Sequence, residues 1–259
     1  MMSETITATL PIDQITEHDR RNALAWPAEV TEQHFGWLFR YNHGVTRRAN
    51  SVLPLRAEGN LSLDVRVLSA THFYRKHNLP CCFTITAASA PSGLDAALED
   101  RGFTAEGSSE VRTADLAAVA GISGSEADVS LASKDTEQWR TAYLEGEDHA
   151  KRNRYIEIMR RISVARRFAV AMKDGQPVAA GVGVLQNGWL TIQGMQTVPD
   201  HRRAGHAAAI LRGLADWARG AGATKAILQV ESDNEPASRL YERAGFVPAY
   251  GYHYRVAPS

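Results

Sequence analysis

The chain has 259 residues, with 29 Lys plus Arg against 29 Asp plus Glu, so its formal net charge at neutral pH is zero. That length allows one large domain or two small ones, and the balanced charge excludes the basic field on which a nucleic-acid binder depends. The two cysteines, Cys81 and Cys82, are adjacent, which excludes a bridge of ordinary geometry and fits a reducing compartment.

The N-terminal MMSETITATLPIDQ has no basic stretch followed by an apolar core, and no run approaches the ~20 apolar residues that span a bilayer. The expectation is a soluble, cytoplasmic protein without a membrane partner. Residues 13–26 predict a charged surface helix ending before Pro27. Alternation in WLFRY and the β-prone SVLPL predict two strands within 35–55, with a turn at Asn42–Gly44. In that loop Arg47, Arg48 and Asn50 read as a polar loop, with a remnant anion site as the alternative.

Residues 62–78 read as a helix stopped by Asn78-Leu79-Pro80, 81–89 as a short strand, 94–103 as a helix ended by Gly102, and EVRTADL (110–116) as a strand. GISGSEAD (121–128) reads as a linker. Helical patterns over 135–145 and 152–163 flank the polar GEDHAK. Residues 166–198 then predict three antiparallel strands turning at Asp174-Gly175 and Asn187-Gly188. Beyond Pro199, Ala207, Ile210, Leu211, Leu214 and Ala218 recur at helical spacing, followed by a strand (226–230), a helix (235–244) and terminal strands within 246–256.

The junction QGMQTVPDHRRAG (193–205) is the most informative stretch. A strand turns into a helix through a loop holding Arg202, Arg203 and Gly205. The first N–H groups of a helix lack partners and lie at the positive end of its dipole, so such a junction suits a phosphate. It has neither the G-K-S/T of a Walker loop nor a GxGxxG. The spelling Arg202-Arg203-Ala204-Gly205-His206-Ala207 resembles the Q/R-x-x-G-x-G/A pyrophosphate loop of the GNAT superfamily of acetyl-CoA-dependent N-acetyltransferases. A second segment, Asn234 to Phe246, is similar to that superfamily's N-x-x-A-x-x-x-Y-x-x-x-G-F signature through Asn234, Ala237, Tyr241, Gly245 and Phe246. The element order over roughly 111–256 matches the family as well, with EVRTADL as a candidate for its first strand.

The resemblance implies an α/β (α+β) fold, a mixed and mostly antiparallel sheet flanked by helices. A weak repeat, LEDRGFTAEGSSEVR against YERAGFVPAYGYHYR, suggests two tandem copies. We expect a degenerate GNAT-like domain over 1–110 and a catalytic N-acetyltransferase domain over 111–259. Leu98 stands in the first where Tyr241 stands in the second.

By the same resemblance Tyr241 is the general acid. A phenol, with an ordinary pKa of roughly 10, is protonated at neutral pH and can donate to the departing thiolate. Met195 and Thr197 would hold the pantetheine arm through their backbone. Arg202, Arg203, Ala204, Gly205, His206 and Ala207 would hold the pyrophosphate, with Asn234 beside them. Acetyl-CoA is then the co-substrate, with direct transfer to an amine in a ternary complex. The acceptor is a small molecule or a peptide, and the protein is a monomer or a homodimer.

For the general base, Gln193 cannot serve; Glu231, Glu145, Glu147, Asp148 and His149 are candidates, each read more readily as a solvated surface residue, and a water relay without a dedicated base is equally admissible. The nine histidines show no HExxH spacing, so no metal is expected. Two rivals stand beside this reading. One is a non-catalytic acyl-CoA-binding or sensing module. The other is a transferase of longer acyl groups, suggested by room at Gly181, Gly183 and Gly194.

Overall fold

Turn pairs and short apolar runs translate into ten strands and eight helices in the residues that the structure describes. The structure is a computed structural model describing residues 10–145 and 149–258, without the side chain of His149. The chain divides into two compact units, Met1–Glu110 with Ala249–Ser259, and Val111–Pro248. The C-terminal residues thus join the first unit in this division.

In the first unit α1 (Ile12–Ala25) precedes β1 (Val30–His34) and β2 (Trp37–Tyr41). Their hairpin turns at Phe35-Gly36, both at positive φ, of 41° and 88°. The Asn42–Gly44 turn is real but lies beyond β2, closed by the Val45 amide donating to the Asn42 carbonyl at 2.9 Å. Leu38 then bridges Leu53 in antiparallel fashion, and Val52 bridges Phe83 in parallel. After α2 (Leu63–Lys76) come β3 (Cys82–Ile85), α3 (Leu94–Glu99) and β4 (Thr104–Asp115), whose residues 104–110 belong here. The C-terminal β10 (Val247–Val256) returns to pair antiparallel with β3, from His253↔Ile85 to Val256↔Cys82, and has β4 on its other side. The core stacks Trp37, Phe39, Tyr74, Phe83, Leu98 and Phe103, with Trp37–Phe83 and Phe83–Phe103 edge to face.

The helix over 13–26 exists but is not a solvated surface helix. It buries His18, Asp19, Arg21 and Asn22 beside Ile15 and Ala25. Charge along a helix predicts exposure, whereas here polar groups turn inward.

The second unit has the strand order β4-β9-β8-β7-β6-β5. Its edge strand β5 (Asp128–Ala132) pairs antiparallel with β6 (Arg166–Lys173), β6 with β7 (Gln176–Gln186), and β7 with β8 (Trp189–Thr197). The hairpins turn at Asp174-Gly175 and Asn187-Gly188, all four residues at positive φ. Thus EVRTADL does not start this sheet: DVSLA does, too short and mixed to be read from periodicity, and the end of β4 lies beside β9 (Lys225–Glu231). The short α4 (Leu116–Ala120) had no sequence signal strong enough to be placed.

Helices α5 (Glu137–Leu144) and α6 (His149–Arg160) follow β5, α7 (His206–Gly220) joins β8 to β9, and α8 (Glu235–Arg243) precedes β10. Alternate residues of a strand point to opposite faces. Accordingly Phe168 meets Trp139 of α5, while Ala169 and Ala171 share a cluster with Ile210, Leu211 and Leu214 of α7. Glycines let α7 settle on β7: a Cβ on Gly181 would lie 2.7 Å from Ile210 Cγ2 and 2.6 Å from Met195 Sδ. One on Gly183 would lie 2.9 Å from Leu214 Cδ2. The space at these two glycines is filled by α7 and Met195, so it is not room for a longer acyl chain.

Candidate active site

The site begins where β8 and β9 part. They are parallel and paired from Trp189↔Lys225 to Ile192↔Leu228; no later pair joins them among the described residues, although β8 runs on to Thr197 and β9 to Glu231. On its other side β8 stays paired with β7, through Gln193↔Val182, Gln196↔Ala180 and Thr197↔Ala179. Between those pairs Gly194 and Met195 stand opposite the single residue Gly181, a β-bulge, with Gly194 at φ 61°. The bulge redirects β8, and beyond Gln193 the strand has no β9 partner among the described residues, an edge that an extended ligand could join.

Next comes the loop. Gly205 is the N-cap of α7 at φ 84°, in the left-handed region, and no side chain caps this helix. Its leading amides are therefore available to an anion. Arg203 is also left-handed, at φ 62°, and Arg202, Arg203 and Ala204 are exposed. Neither arginine forms an ion pair among the described residues; Arg202 Nε donates to the Thr197 carbonyl at 3.4 Å. His206 is buried, and desolvation, then His201 and Lys173, hold its pKa below the usual value. Its Nδ1 lies 2.8 Å from Ser125 Oγ.

GISGSEAD is not a free linker. The Ser125 amide donates to the Gly205 carbonyl at 3.2 Å, and Arg212 Nη2 donates to the Ser125 carbonyl at 3.3 Å. A Cβ on Gly124 would lie 2.7 Å from the Ala209 nitrogen, and one on Gly205 would lie 2.8 Å from the Ser125 nitrogen. Two glycines thus let this segment brace the loop backbone to backbone. Sequence reading missed Gly124 and Ser125 because a Gly/Ser-rich stretch looks the same whether it is free or clamped.

The second motif follows helix grammar. Asn234 caps α8 through Oδ1, which accepts from the Ala237 amide at 3.2 Å; Gly245 takes φ 86°, and the Phe246 amide closes on the Tyr241 carbonyl at 2.9 Å. Tyr241 is the buried residue of α8, edge to face with Phe246 at 5.9 Å. It belongs to the same packed cluster as Ile210 and Leu211 of α7, with Met195 against it, so loop helix, bulged strand and phenol converge on one core.

Glu231 ends β9, exposed, its carbonyl accepting from the Asn234 amide at 3.0 Å. Glu145 is exposed at the end of α5. Glu147, Asp148 and the His149 side chain lie outside the described residues. In the first unit the triplet in VTRRANSV is spoken for. Arg47 pairs with Glu106, Arg48 sits 4.4 Å from the centre of the Trp26 ring, and the Asn50 carboxamide accepts from the Asn42 and Gly44 amides. Among the described residues no group of three or more His, Cys, Asp or Glu is arranged for a metal, and no helix is long and apolar enough to cross a membrane.

Comparison with known proteins places the chain in a family. Residues 13–255 match the family model described as "Probable histone acetyltransferase Rv0428c C-terminal". The chain is 29% identical over 251 residues to "Uncharacterized N-acetyltransferase YobR" of Bacillus subtilis (strain 168), covering 95% of this chain and 99% of that one. In fold it resembles a GCN5-related N-acetyltransferase from Kribbella flavida (TM-score 0.66, 16% identity, 97% of each chain). It also resembles a tandem GNAT protein from the clavulanic acid biosynthesis pathway (TM-score 0.62, 14% identity, 93% of this chain and 88% of that one). With the family model spanning nearly the whole sequence, the chain belongs to the GNAT family and is an acetyltransferase of that type.

Proposed function

We propose that the protein is a cytoplasmic N-acetyltransferase that moves the acetyl group of acetyl-CoA to an amine, small-molecule or peptide, by direct attack in a ternary complex. Two tandem GNAT copies make up the chain in this reading, the second catalytic and the first degenerate, acting as a monomer or homodimer. The observation that carries it is the combination of an unzipped β8 edge with an uncapped α7.

The pantetheine arm would lie along Gln193–Thr197 as an added strand, using backbone groups at Met195 and Thr197. The amides of Arg203 to Ala207 would take the pyrophosphate, with Arg202 and Arg203 adding charge, and Asn234 flanking from the α8 start. An amide of the bulge would polarise the acetyl carbonyl as its oxygen gains charge. The amine attacks that carbonyl carbon, the C–S bond breaks, and Tyr241 gives its proton to the thiolate. Glu231, at the mouth of the opened strands, is our choice for the base that takes the ammonium proton, directly or through water.

Replacing Tyr241 with Phe tests the chemistry. Acetyl-CoA affinity by calorimetry should be nearly unchanged while turnover falls ~10²-fold or more. Unchanged turnover would remove the acid assignment and leave an acyl-CoA-binding module. Comparing acetyl-, propionyl- and succinyl-CoA turnover tests the acyl group.

A further inference from the structure

The proposed transfer turns on the bulge at Gly194 and Met195, and a bulge does not hold itself. An extra residue in one strand disrupts the ladder locally, so an amide there keeps its aim only if neighbouring groups fix it. Helix α5 supplies such groups from the face of the sheet opposite α7. It is short, Glu137–Leu144, and is pinned at both ends. Thr136 Oγ1 accepts from the Trp139 amide at 3.1 Å, and Arg152 of α6 donates from Nη1 to the Tyr143 carbonyl at 2.6 Å. The Arg152 guanidinium also lies 5.0 Å from the centre of the Tyr143 ring.

Between those pins Trp139 and Tyr143 stand about one helical turn apart, their rings stacked at 4.6 Å with 18° between planes. Both are buried, Trp139 completely. Trp139 donates its indole N–H to the Gly181 carbonyl at 3.0 Å, and Gly181 is the single β7 residue that stands opposite the bulge. Tyr143 lies over the other strand. A Cβ on Gly194 would be 3.6 Å from Tyr143 Cε2, and 3.2 Å from Met159 Sδ of α6. Phe168 of β6 backs the pair, edge to face with Trp139 at 4.9 Å.

A buried indole needs an acceptor. This one takes it from the backbone that faces the bulge, and the same indole is stacked on the ring that covers Gly194. The two rings thus reach both strands at the one place where their register shifts.

We propose that Trp139 and Tyr143 are positioning residues for the transfer, holding the Gly194–Met195 bulge so that its amide points at the acetyl carbonyl of the bound thioester. Neither is assigned a contact with the reacting atoms. The inference rests on the reading of that amide as the group that polarises the carbonyl, and it adds the residues that set its aim. A displaced oxyanion donor costs more in turnover than in binding, because the carbonyl oxygen gains its charge on the way to the transition state. The diphosphate grip at the α7 start uses other residues.

The test compares Trp139→Phe, which keeps a ring in the stack and removes the N–H, with Tyr143→Leu, which removes the stacked ring. Acetyl-CoA affinity by calorimetry should stay within about threefold of wild type in both variants, which also shows that each is folded at the site. Infrared difference spectra with acetyl-CoA isotopically labelled at the acetyl carbonyl report the aim of the amide directly. The bound carbonyl band, lowered in the wild type relative to solution, should return at least halfway in each variant. With the amine that gives the fastest thiol release from the wild-type protein, kcat should fall about tenfold while KM for acetyl-CoA changes little.

Wild-type kcat in both variants, or a wild-type carbonyl band in both, would overturn the proposal. So would a loss of acetyl-CoA affinity in both that matches the loss of kcat, since that is the mark of general loosening. If the wild-type protein binds acetyl-CoA without lowering its carbonyl band, the polarising amide fails and this inference with it. If it binds no acetyl-CoA at all, the transferase reading itself fails.

Discussion

Two helices that follow a strand and a loop in the two units start in opposite ways. In the first unit, Ser62 closes α2, its Oγ accepting from the Val65 amide. Arg66 then reaches back to the carbonyls of Phe35, Glu58 and Gly59, filling the approach with the protein's own cation. In the second, α7 opens on a left-handed glycine with no side-chain cap, after two arginines that form no ion pair among the described residues. Another pair of helices, one from each unit, differs in the reverse sense. Helix α5 buries Trp139, Ala142 and Tyr143, whereas α1 buries His18, Asp19, Arg21 and Asn22. The lesson is that similar elements can distribute their polar groups in opposite ways, at a helix start in one unit and on a helix face in the other.

The comparison breaks most severely at Gly205. Alanine there must adopt φ 84° and bring its Cβ within 2.8 Å of the Ser125 nitrogen. Acetyl-CoA affinity by calorimetry should fall ~100-fold, about 3 kcal/mol. No change would mean that the α7 start is not the phosphate site.

A second break concerns α1. The Asp19 carboxyl, raised to about 7 from 3.8, keeps its proton in the folded state after the unfolded chain has lost it. Stability from this group is therefore lost as pH rises from about 4 to 7. His18, lowered to about 4 from 6.5 mainly by burial, acts oppositely: its contribution is lost as pH falls through that window. Denaturant unfolding of Asp19→Asn against wild type should show the variant gaining about 2 kcal/mol in relative stability between pH 5 and pH 7. A constant difference across that range would place Asp19 in contact with solvent.

Gly124→Ala tests the brace. With 2.7 Å to the Ala209 nitrogen the segment must shift, and acetyl-CoA affinity should drop about tenfold, with a smaller loss of melting temperature than a core cavity causes. Unchanged affinity would leave the segment a mere connection. The mildest case is Ser62→Ala, which uncaps α2. It should cost about 1 kcal/mol in chemical denaturation and leave acetyl-CoA binding untouched. A gain of CoA binding to the first unit would mean that capping alone separates the two helix starts.

What sequence made legible was local. Asp174-Gly175 and Asn187-Gly188 had no good alternative to tight hairpins, and Asn234 and Gly245 bracket α8 because cap chemistry is written in single residues. The α7 loop was readable for the same reason. Two kinds of feature were not. The first depends on distant partners: DVSLA becomes an edge strand only because β6 is there to receive it, and Gly124 matters only because Ala209 approaches it. The second is the inward polarity of α1, since charge in a helix argues for solvent unless partners such as Tyr250 and Thr86 are known to meet it. The Gly181 and Gly183 positions show the converse error, small residues read as vacancy when a helix had moved in.

Strand order in each unit carries a last consequence. Residues 253–256 of β10, from the chain's end, line β3 in the first unit, while residues 111–115 of β4, from its middle, stand next to β9 in the second. Neither half of the gene therefore encodes a finished sheet. A polypeptide stopped at 110 would expose the flank of β3, and one begun at 116 would expose that of β9, each an invitation to aggregate.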